Sequence, residues 1–353
     1  MRKGSWAFSI SSSSSPAMPD LPPPDNQPKV SVLMITYNHE KYIAQAIESV
    51  LMQETDFRYE LIVGEDCSTD GTGEIVREYG RKHPDIVHAH LRERNIGARQ
   101  NLRRIFAAAR GKYIALLEGD DYWTSPQKLQ TQVDLLDAHP ETSLCGHRSV
   151  WHYEDGARPD MIPSENPGGF YDLADILERN LFHTGSVMFR HVIEAAPDWH
   201  APLYMGDLPL FVTLAQYGNI CLLPESMAVY RLHGGGVWTG IDDVRKERAN
   251  QQMFQAFYDN LDPKYRPLLR KKLFECSFNL GLASFTALQP DLTRKCLREC
   301  LKLSGALEFI PQKLLLALKG YCWWAFVVWR RVRHPLRSHA RGFEDPTNIE
   351  DAR

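Results

Sequence analysis

Apolar and polar positions divide the chain into a repeating first half and an irregular second half. Val30-Ser-Val-Leu-Met-Ile-Thr-Tyr37 is almost unbroken apolar sequence, which predicts a strand covered on both faces rather than one alternating toward water. Asn38 is placed to cap a helix whose apolar stripe is Ile43, Ile47, Val50 and Leu51. Glu60 to Gly64 predicts a second strand, followed by the turn-rich Ser68 to Thr72 and a helix to about residue 83. Ile86 to His90 and Lys112 to Leu117 predict two more strands, separated by a helix over Gly97 to Arg110. Alternation of this kind calls for a parallel sheet with right-handed helical crossovers, an α/β fold. Ser125-Pro126 then reads as an N-cap with Pro at the first helical position, ahead of inward-facing Leu129, Val133 and Leu136. Beyond about residue 150 the repeat breaks into short strands (Ser186 to Arg190, Ile220 to Leu223, Val229 to Leu232) mixed with helices near 171–180 and 207–217. From about 243 to 305 the pattern is helical.

Composition adds limits rather than elements. A length of 353 residues predicts about two domains. Lys+Arg total 41 against 44 Asp+Glu, a net charge of −3, which lacks the basic excess of a nucleic-acid binder. The seven cysteines (67, 145, 221, 276, 296, 300, 322) include no Cys-x-x-Cys. That spacing disfavours a zinc ribbon or disulfide framework and suits reduced thiols in the cytoplasm. Both termini differ from the average. Residues 1–28 carry five consecutive serines and six prolines and read as a disordered tail whose apolar content is too low to fold. Met18 is an alternative start. From Phe309 to Arg341 there are seven Lys/Arg and no acid, around Tyr321-Cys-Trp-Trp-Ala-Phe-Val-Val-Trp329. Nine apolar residues are too few to span a bilayer, but tryptophans flanked by cations suit a helix lying on an anionic membrane surface. Packing on protein is the alternative.

Candidate chemistry gathers where the predicted strands end, the side of an open α/β sheet that binds ligands. Three polar clusters lie there: Thr36-Tyr-Asn-His-Glu40, Glu65-Asp-Cys-Ser-Thr-Asp-Gly71 and Glu118-Gly-Asp-Asp121. Carboxylates closing a buried strand lose hydration unless a cation pairs with them, and Mn²⁺ or Mg²⁺ carrying a diphosphate meets that need. A second Asp-Asp, 242–243, follows no strand and reads as a solvated face. Gly71-Thr-Gly73 lacks the third glycine of a dinucleotide fingerprint, with Val76 in its place, and no GxxxxGK[ST] occurs.

These clusters, with Asn95-Ile-Gly97, Arg99, Asn101, Gly111 to Trp123, Gly206-Asp-Leu-Pro-Leu210 and Tyr230 to Trp238, closely resemble glycosyltransferase family two over about residues 29–240. The resemblance implies a GT-A fold, a Rossmann-like, mostly parallel sheet flanked by helices, here with a C-terminal helical extension. It also implies an inverting transfer of sugar from a nucleotide-diphosphate sugar to an acceptor hydroxyl. By the same resemblance Thr36, Tyr37, Asn38, Glu40, Asp66, Arg99, Glu118 and Asp121 are donor-binding, and Asp120 with His233 holds the Mn²⁺ or Mg²⁺. Asp207 matches the catalytic base, and Trp123 and Trp238 are candidates for the acceptor side. Glu118 departs from the usual first aspartate of the Asp-x-Asp motif.

The implied division is a tail (1–28), a GT-A domain (29–242), a helical region (243–305), a basic Trp-rich segment (306–341) and a tail (342–353). The Gln-x-x-Arg-Trp pattern of processive synthases is absent, which favours single-sugar transfer onto a glycan or lipid-linked acceptor in cell-surface polysaccharide assembly. The expected location is cytoplasmic, on the inner membrane face where the segment 309–341 meets anionic lipid. Two other readings stand beside this one. A sugar-1-phosphate nucleotidyltransferase would carry a Gly-rich basic loop where Thr-Tyr-Asn-His-Glu stands. A catalytically silent glycan-binding scaffold would have no need of Asp66, Asp120, Asp207 and His233 together.

Overall fold

The structure, a computed structural model, describes residues 27–163, 168–236 and 240–304. The tail 1–26, Trp238 and the Trp-rich segment lie outside the described residues. The strands are β1 (Val30–Thr36), β2 (Tyr59–Glu65), β3 (Val87–Leu91), β4 (Tyr113–Glu118), β5 (Tyr122–Trp123), β6 (Thr142–Tyr153), β7 (Gly169–Tyr171), β8 (Met188–Arg190) and β9 (Asn219–Leu232). The helices are α1 (Ile43–Leu51), α2 (Thr72–Lys82), α3 (Ala98–Phe106), α4 (Lys128–Ala138), α5 (Leu173–Glu178), α6 (Asp207–Leu214), α7 (Asp243–Asn260), α8 (Arg266–Thr286) and α9 (Pro290–Ser304).

One mixed sheet runs β3-β2-β1-β4-β8-β6-β9-β5, with β7 also on β9. The first four strands are mutually parallel, as the sequence predicts. Then β8 pairs antiparallel with both β4 and β6, while β6 and β9 run parallel. The unbroken apolar run of β1 has its physical reason in the two layers it separates. Val30, Val32 and Met34 pack with α1 and α4 residues Ile43, Ile47, Leu129 and Val133. Leu33, on the opposite face, packs with Ile105, Phe211 and Phe257 of α3, α6 and α7. A strand apolar on both faces therefore sits at the centre of the molecule.

Several expected boundaries move. Asn38 does not cap α1: it adopts a left-handed conformation, φ 56°, and its Oδ1 accepts the Thr69 N–H at 2.8 Å. The helix begins four residues later, with Tyr42 as a cap lacking a side-chain bond. Ser125-Pro126 likewise precedes α4 without capping it, since Gln127 holds that place. The two short strands near 220 and 230 are one 14-residue strand, β9, and the 12-residue β6 comes from sequence that showed no strand pattern.

The chain separates into two compact units, residues 1–276 and 277–353, with the division inside α8. In the second unit α8 and α9 approach closely, the Ser284 and Thr293 hydroxyls lying 2.8 Å apart. Among the described residues no helix is long and apolar enough to cross a membrane.

Strands β1 and β4 start side by side, and Asp137 of α4 ties the two starts together. Its carboxylate meets Lys29 at 2.8 Å, Lys112 at 3.0 Å and the Tyr113 hydroxyl at 2.5 Å. Burial pushes this carboxyl up, but the bonds from Lys29, Tyr113 and Lys112 outweigh it and hold it down at about 2. Its pKa is lowered on folding, so its contribution is present above the ordinary carboxylate pKa of about 3.9 and is lost as pH falls toward 2. The group is partly exposed, so solvent screening limits the effect to about 0.5–1 kcal/mol. Asp137→Asn should lower Tm at pH 7 by about 1–4 °C, and the gap to wild type should narrow below pH 4. Thermal denaturation across pH 3–7 checks this, and a gap independent of pH would contradict it.

Candidate functional site

Parallel pairing brings the carboxyl ends of β1, β2 and β4 to one edge, with Thr36 beside Glu65 and Ile35 beside Glu118. The turn Glu118-Gly119-Asp120-Asp121 leaves β4 there. Gly119 donates its N–H to the Ile35 carbonyl at 3.0 Å. A Cβ at Gly119 would lie 2.7 Å from the Thr36 side chain and 3.1 Å from His39 Nδ1, so the middle residue of the turn has to be glycine.

The two aspartates of the turn face different partners. The Asp120 carboxylate lies 3.1 Å from His233 Nε2 and 3.6 Å from His39 Nε2. Burial pushes Asp120 up, but the hydrogen bond from His233 and the charges of His39 and His233 outweigh it and hold it low. The same bond raises His233. Asp121 is fully buried. Its Oδ1 accepts the Arg231 N–H at 2.9 Å. Its Oδ2 lies 2.9 Å from His183 Nε2, yet neither of these two buried atoms has a hydrogen-bond partner of good geometry. Ligand atoms of Glu118, Asp121 and His183 lie within 4.8 Å of one another. Glu118 is pushed well above the ordinary carboxylate range by burial and then by Asp120, Asp121 and Asp207. Both donor sets therefore fit a hard divalent cation: each pairs carboxylate with imidazole, and one contains two buried atoms 2.9 Å apart that form no hydrogen bond.

Asp207 is the first residue of α6, whose cap is Gly206 without a side-chain bond. Its carboxylate is half-buried, is close enough to Glu118 and Tyr230 to raise both, and has no hydrogen bond among the described residues. It is therefore no helix cap. Thr36 is buried, with Oγ1 3.2 Å from His39 Nδ1. Tyr37 and Asn38 are exposed at the rim. The Glu40 carboxylate lies against Gly71, and its N–H bonds Asp70 at 3.2 Å. Asp66 is buried and shapes the following loop, accepting the N–H groups of Ile96 and Gly97 at 2.9 and 2.8 Å. Arg99 is turned elsewhere: it donates to the His200 carbonyl at 2.7 Å and to the Ala201 carbonyl, with no bond to the acidic turn.

Sequence reasoning left His183 and Arg231 without roles, and both reach the turn. The signal for His183 lies in topology. Since β8 runs antiparallel to β4 (Ala115 beside Met188), the chain entering β8 arrives from the carboxyl end of β4. For Arg231 the signal is spacing, because it stands at the end of β9, two residues before His233.

Residues 31–194 match the family model described as Glycosyl transferase family 2. Through this segment the chain is similar to glycosyl transferase family 2. An uncharacterized protein of Mycobacterium tuberculosis, Rv1520, is 42% identical over 218 residues, covering 62% of this chain and 63% of the relative. The Bacillus subtilis glycosyltransferase TuaG, named for teichuronic acid biosynthesis, is 36% identical over 110 residues, 31% of this chain and 42% of the relative. The chain thus spans less than two thirds of the length of these curated relatives. Among solved structures, Staphylococcus aureus TarS with UDP-GlcNAc aligns at TM-score 0.59 and 17% identity, over 87% of this chain and 92% of that one. The Pyrobaculum calidifontis mannosyltransferase PcManGT, with GDP-Man and Mn²⁺, aligns at 0.54 and 19%, over 88% and 85%. Both share the GT-A fold.

Behind the acidic turn, Trp123 corrects one expectation. It is 1% exposed, its indole N–H donates to the Gly185 carbonyl at 2.7 Å, and the Lys128 ammonium lies 3.8 Å from its ring centroid. Closed in this way, its ring has no face open to an acceptor sugar. Lys128 is fully buried with no hydrogen-bond partner, and burial lowers its pKa to about 7. The unfolded chain keeps that proton to about pH 10.4, so wild-type stability should rise as pH climbs from 7 to 10. Lys128→Met should remove the rise. Urea denaturation at pH 7, 8.5 and 10 tests this, and parallel pH dependence in both proteins would contradict it.

Proposed function

We propose that the chain is an inverting glycosyltransferase that moves a single sugar from a nucleotide-diphosphate sugar to an acceptor hydroxyl in cell-surface glycan assembly. The observation that carries this reading is the convergence of Glu118, Asp120, Asp121 and Asp207 at the carboxyl ends of parallel strands, with the Asp207 carboxylate uncommitted beside them. The nucleotide sugars named with TarS and PcManGT support the donor class, and the TuaG relative supports a surface glycan as acceptor.

On this reading Thr36, Tyr37, Asn38 and Glu40 border the nucleotide, and Asp66 presents the loop at 95–97 to its base. Asp120 and His233 hold Mn²⁺ or Mg²⁺, which supplies positive charge against the leaving diphosphate. The acceptor oxygen bonds to the anomeric carbon from the face opposite the diphosphate. As the carbon–oxygen bond to the diphosphate breaks, Asp207 accepts the hydroxyl proton. The orphaned atoms of Asp121 and His183 support a second reading for the cation, with Glu118, Asp121 and His183 as its ligands. In this proposal the basic segment 309–341 holds the enzyme at an anionic membrane surface beside a lipid-linked acceptor.

Asp207→Asn should lower transfer at least about 10²-fold while Mn²⁺-dependent nucleoside diphosphate binding, read by calorimetry, stays within about twofold of wild type. Retained transfer would remove Asp207 from the base role. In the same titration Asp120→Asn should abolish the metal dependence, whereas loss in His183→Ala with retention in Asp120→Asn would favour the second ligand set. Deleting residues 309–353 should abolish sedimentation with phosphatidylglycerol vesicles, and unchanged sedimentation would refute the membrane role.

A further inference from the structure

Arg231 is 6% exposed, and its side chain joins three elements at the acidic turn. Nη1 donates to the Asp120 carbonyl at 2.5 Å, and Nη2 donates to Gln45 Oε1 on α1. Nε lies 3.1 Å from Glu154 Oε1, just beyond the end of β6. The guanidinium is also held between two rings, 5.0 Å from the Tyr42 centroid and 4.4 Å from that of Tyr122. Its main-chain N–H fixes the Asp121 carboxylate at 2.9 Å. Two residues on, His233 reaches the Asp120 carboxylate at 3.1 Å.

The pattern of bonds matters more than their number. Arginine beside aspartate ordinarily forms a bidentate pair with the carboxylate. Here the fork takes the Asp120 carbonyl instead, and its other branches go to Gln45 and Glu154. A fixed positive charge therefore stands next to the turn while the Asp120 carboxylate oxygens remain directed at the imidazoles of His39 and His233. A lysine would bring the charge without the planar fork that spans three acceptors.

We infer that Arg231 is a positioning residue: it clamps the peptide after Asp120 to α1 and β6, so that Asp120 and His233 meet a divalent cation and the donor diphosphate in one preset geometry. This inference rests on the proposed nucleotide-sugar site and goes further in assigning the residue that shapes it. Partners of this kind behind metal ligands are worth about 10–100-fold in metal affinity.

The test is calorimetric titration of Mn²⁺ into the full chain with saturating nucleoside diphosphate, for wild type, Arg231→Lys and Gln45→Ala. Arg231→Lys should weaken Mn²⁺ binding about tenfold or more, while metal-free binding of the nucleotide stays unchanged. Gln45 is exposed, so Gln45→Ala keeps the core intact and should weaken Mn²⁺ binding about two- to fivefold by releasing one branch of the fork. That second variant keeps the inference testable if Arg231→Lys does not fold. Wild-type Mn²⁺ affinity in a folded Arg231→Lys, or in Gln45→Ala where Arg231→Lys fails to fold, would overturn the positioning role. A wild-type chain without any metal-linked nucleotide binding would overturn the transferase reading itself, which separates the two failures.

Discussion

The mutual repulsion of carboxylates crowded at the end of a buried strand is the constraint around which this molecule is arranged. Burial first, and then the charges of Asp120, Asp121 and Asp207, push Glu118 well above the ordinary carboxylate range. Charge removed from water is costly unless something answers it. The protein answers in part, with His39 and His233 at Asp120, His183 at Asp121 and the Arg231 guanidinium beside the turn. The half-buried Asp207 carboxylate is left without a bonded partner among the described residues. Gly119, which a Cβ would drive into Thr36, lets the turn fold tightly enough for these groups to meet. A site that concentrates negative charge and only partly neutralises it is suited to a cation carrying an anionic donor.

Much of this was legible in the amino-acid sequence because the first half of the sheet has a simple physical signature. A strand between two helical layers must be apolar on both faces, and β1 and β4 are. Polar residues directly after such runs stand at the ligand-binding edge of the sheet, which is why Glu118 to Asp121 stands out where Asp242-Asp243 does not. The second half hides its strands. In β6, Thr142, Ser143, His147 and Ser149 are all buried, so polarity along that strand does not track exposure. In β9 Pro224 interrupts a continuous strand, and the sequence reads as two. Polar groups can be buried there because neighbouring strands and loops satisfy them, as the Asn219 side chain does for the Thr142 hydroxyl at 2.6 Å.

The misread caps differ in cause. Ser125 stays local, its Oγ accepting the Gln127 N–H at 3.3 Å just ahead of the helix. Asn38 is a good helix cap by propensity, yet a nearby loop claims it first. Asn38 bonds to the 68–69 turn, where Cys67 also takes a left-handed conformation, φ 61°. Tertiary contacts outweigh a cap worth about 1 kcal/mol. His183 was illegible for a related reason: its partner Asp121 lies 62 positions away and nothing local marks it. Arg231, whose partner Asp120 lies 111 positions away, is marked only by its place two residues before His233. Fold likeness alone does not assign chemistry, so the functional reading stands on these side chains.

Central to the account is the claim that the turn 118–121 is where a divalent cation and a nucleoside diphosphate meet. Anomalous difference density at the manganese edge, from crystals of the full chain grown with Mn²⁺ and a nucleoside diphosphate, tests it directly. The account predicts an ion in contact with Asp120 and the diphosphate, with the Asp207 carboxylate facing it across the cleft. An ordered nucleotide bound elsewhere, with no manganese at the turn, would contradict it.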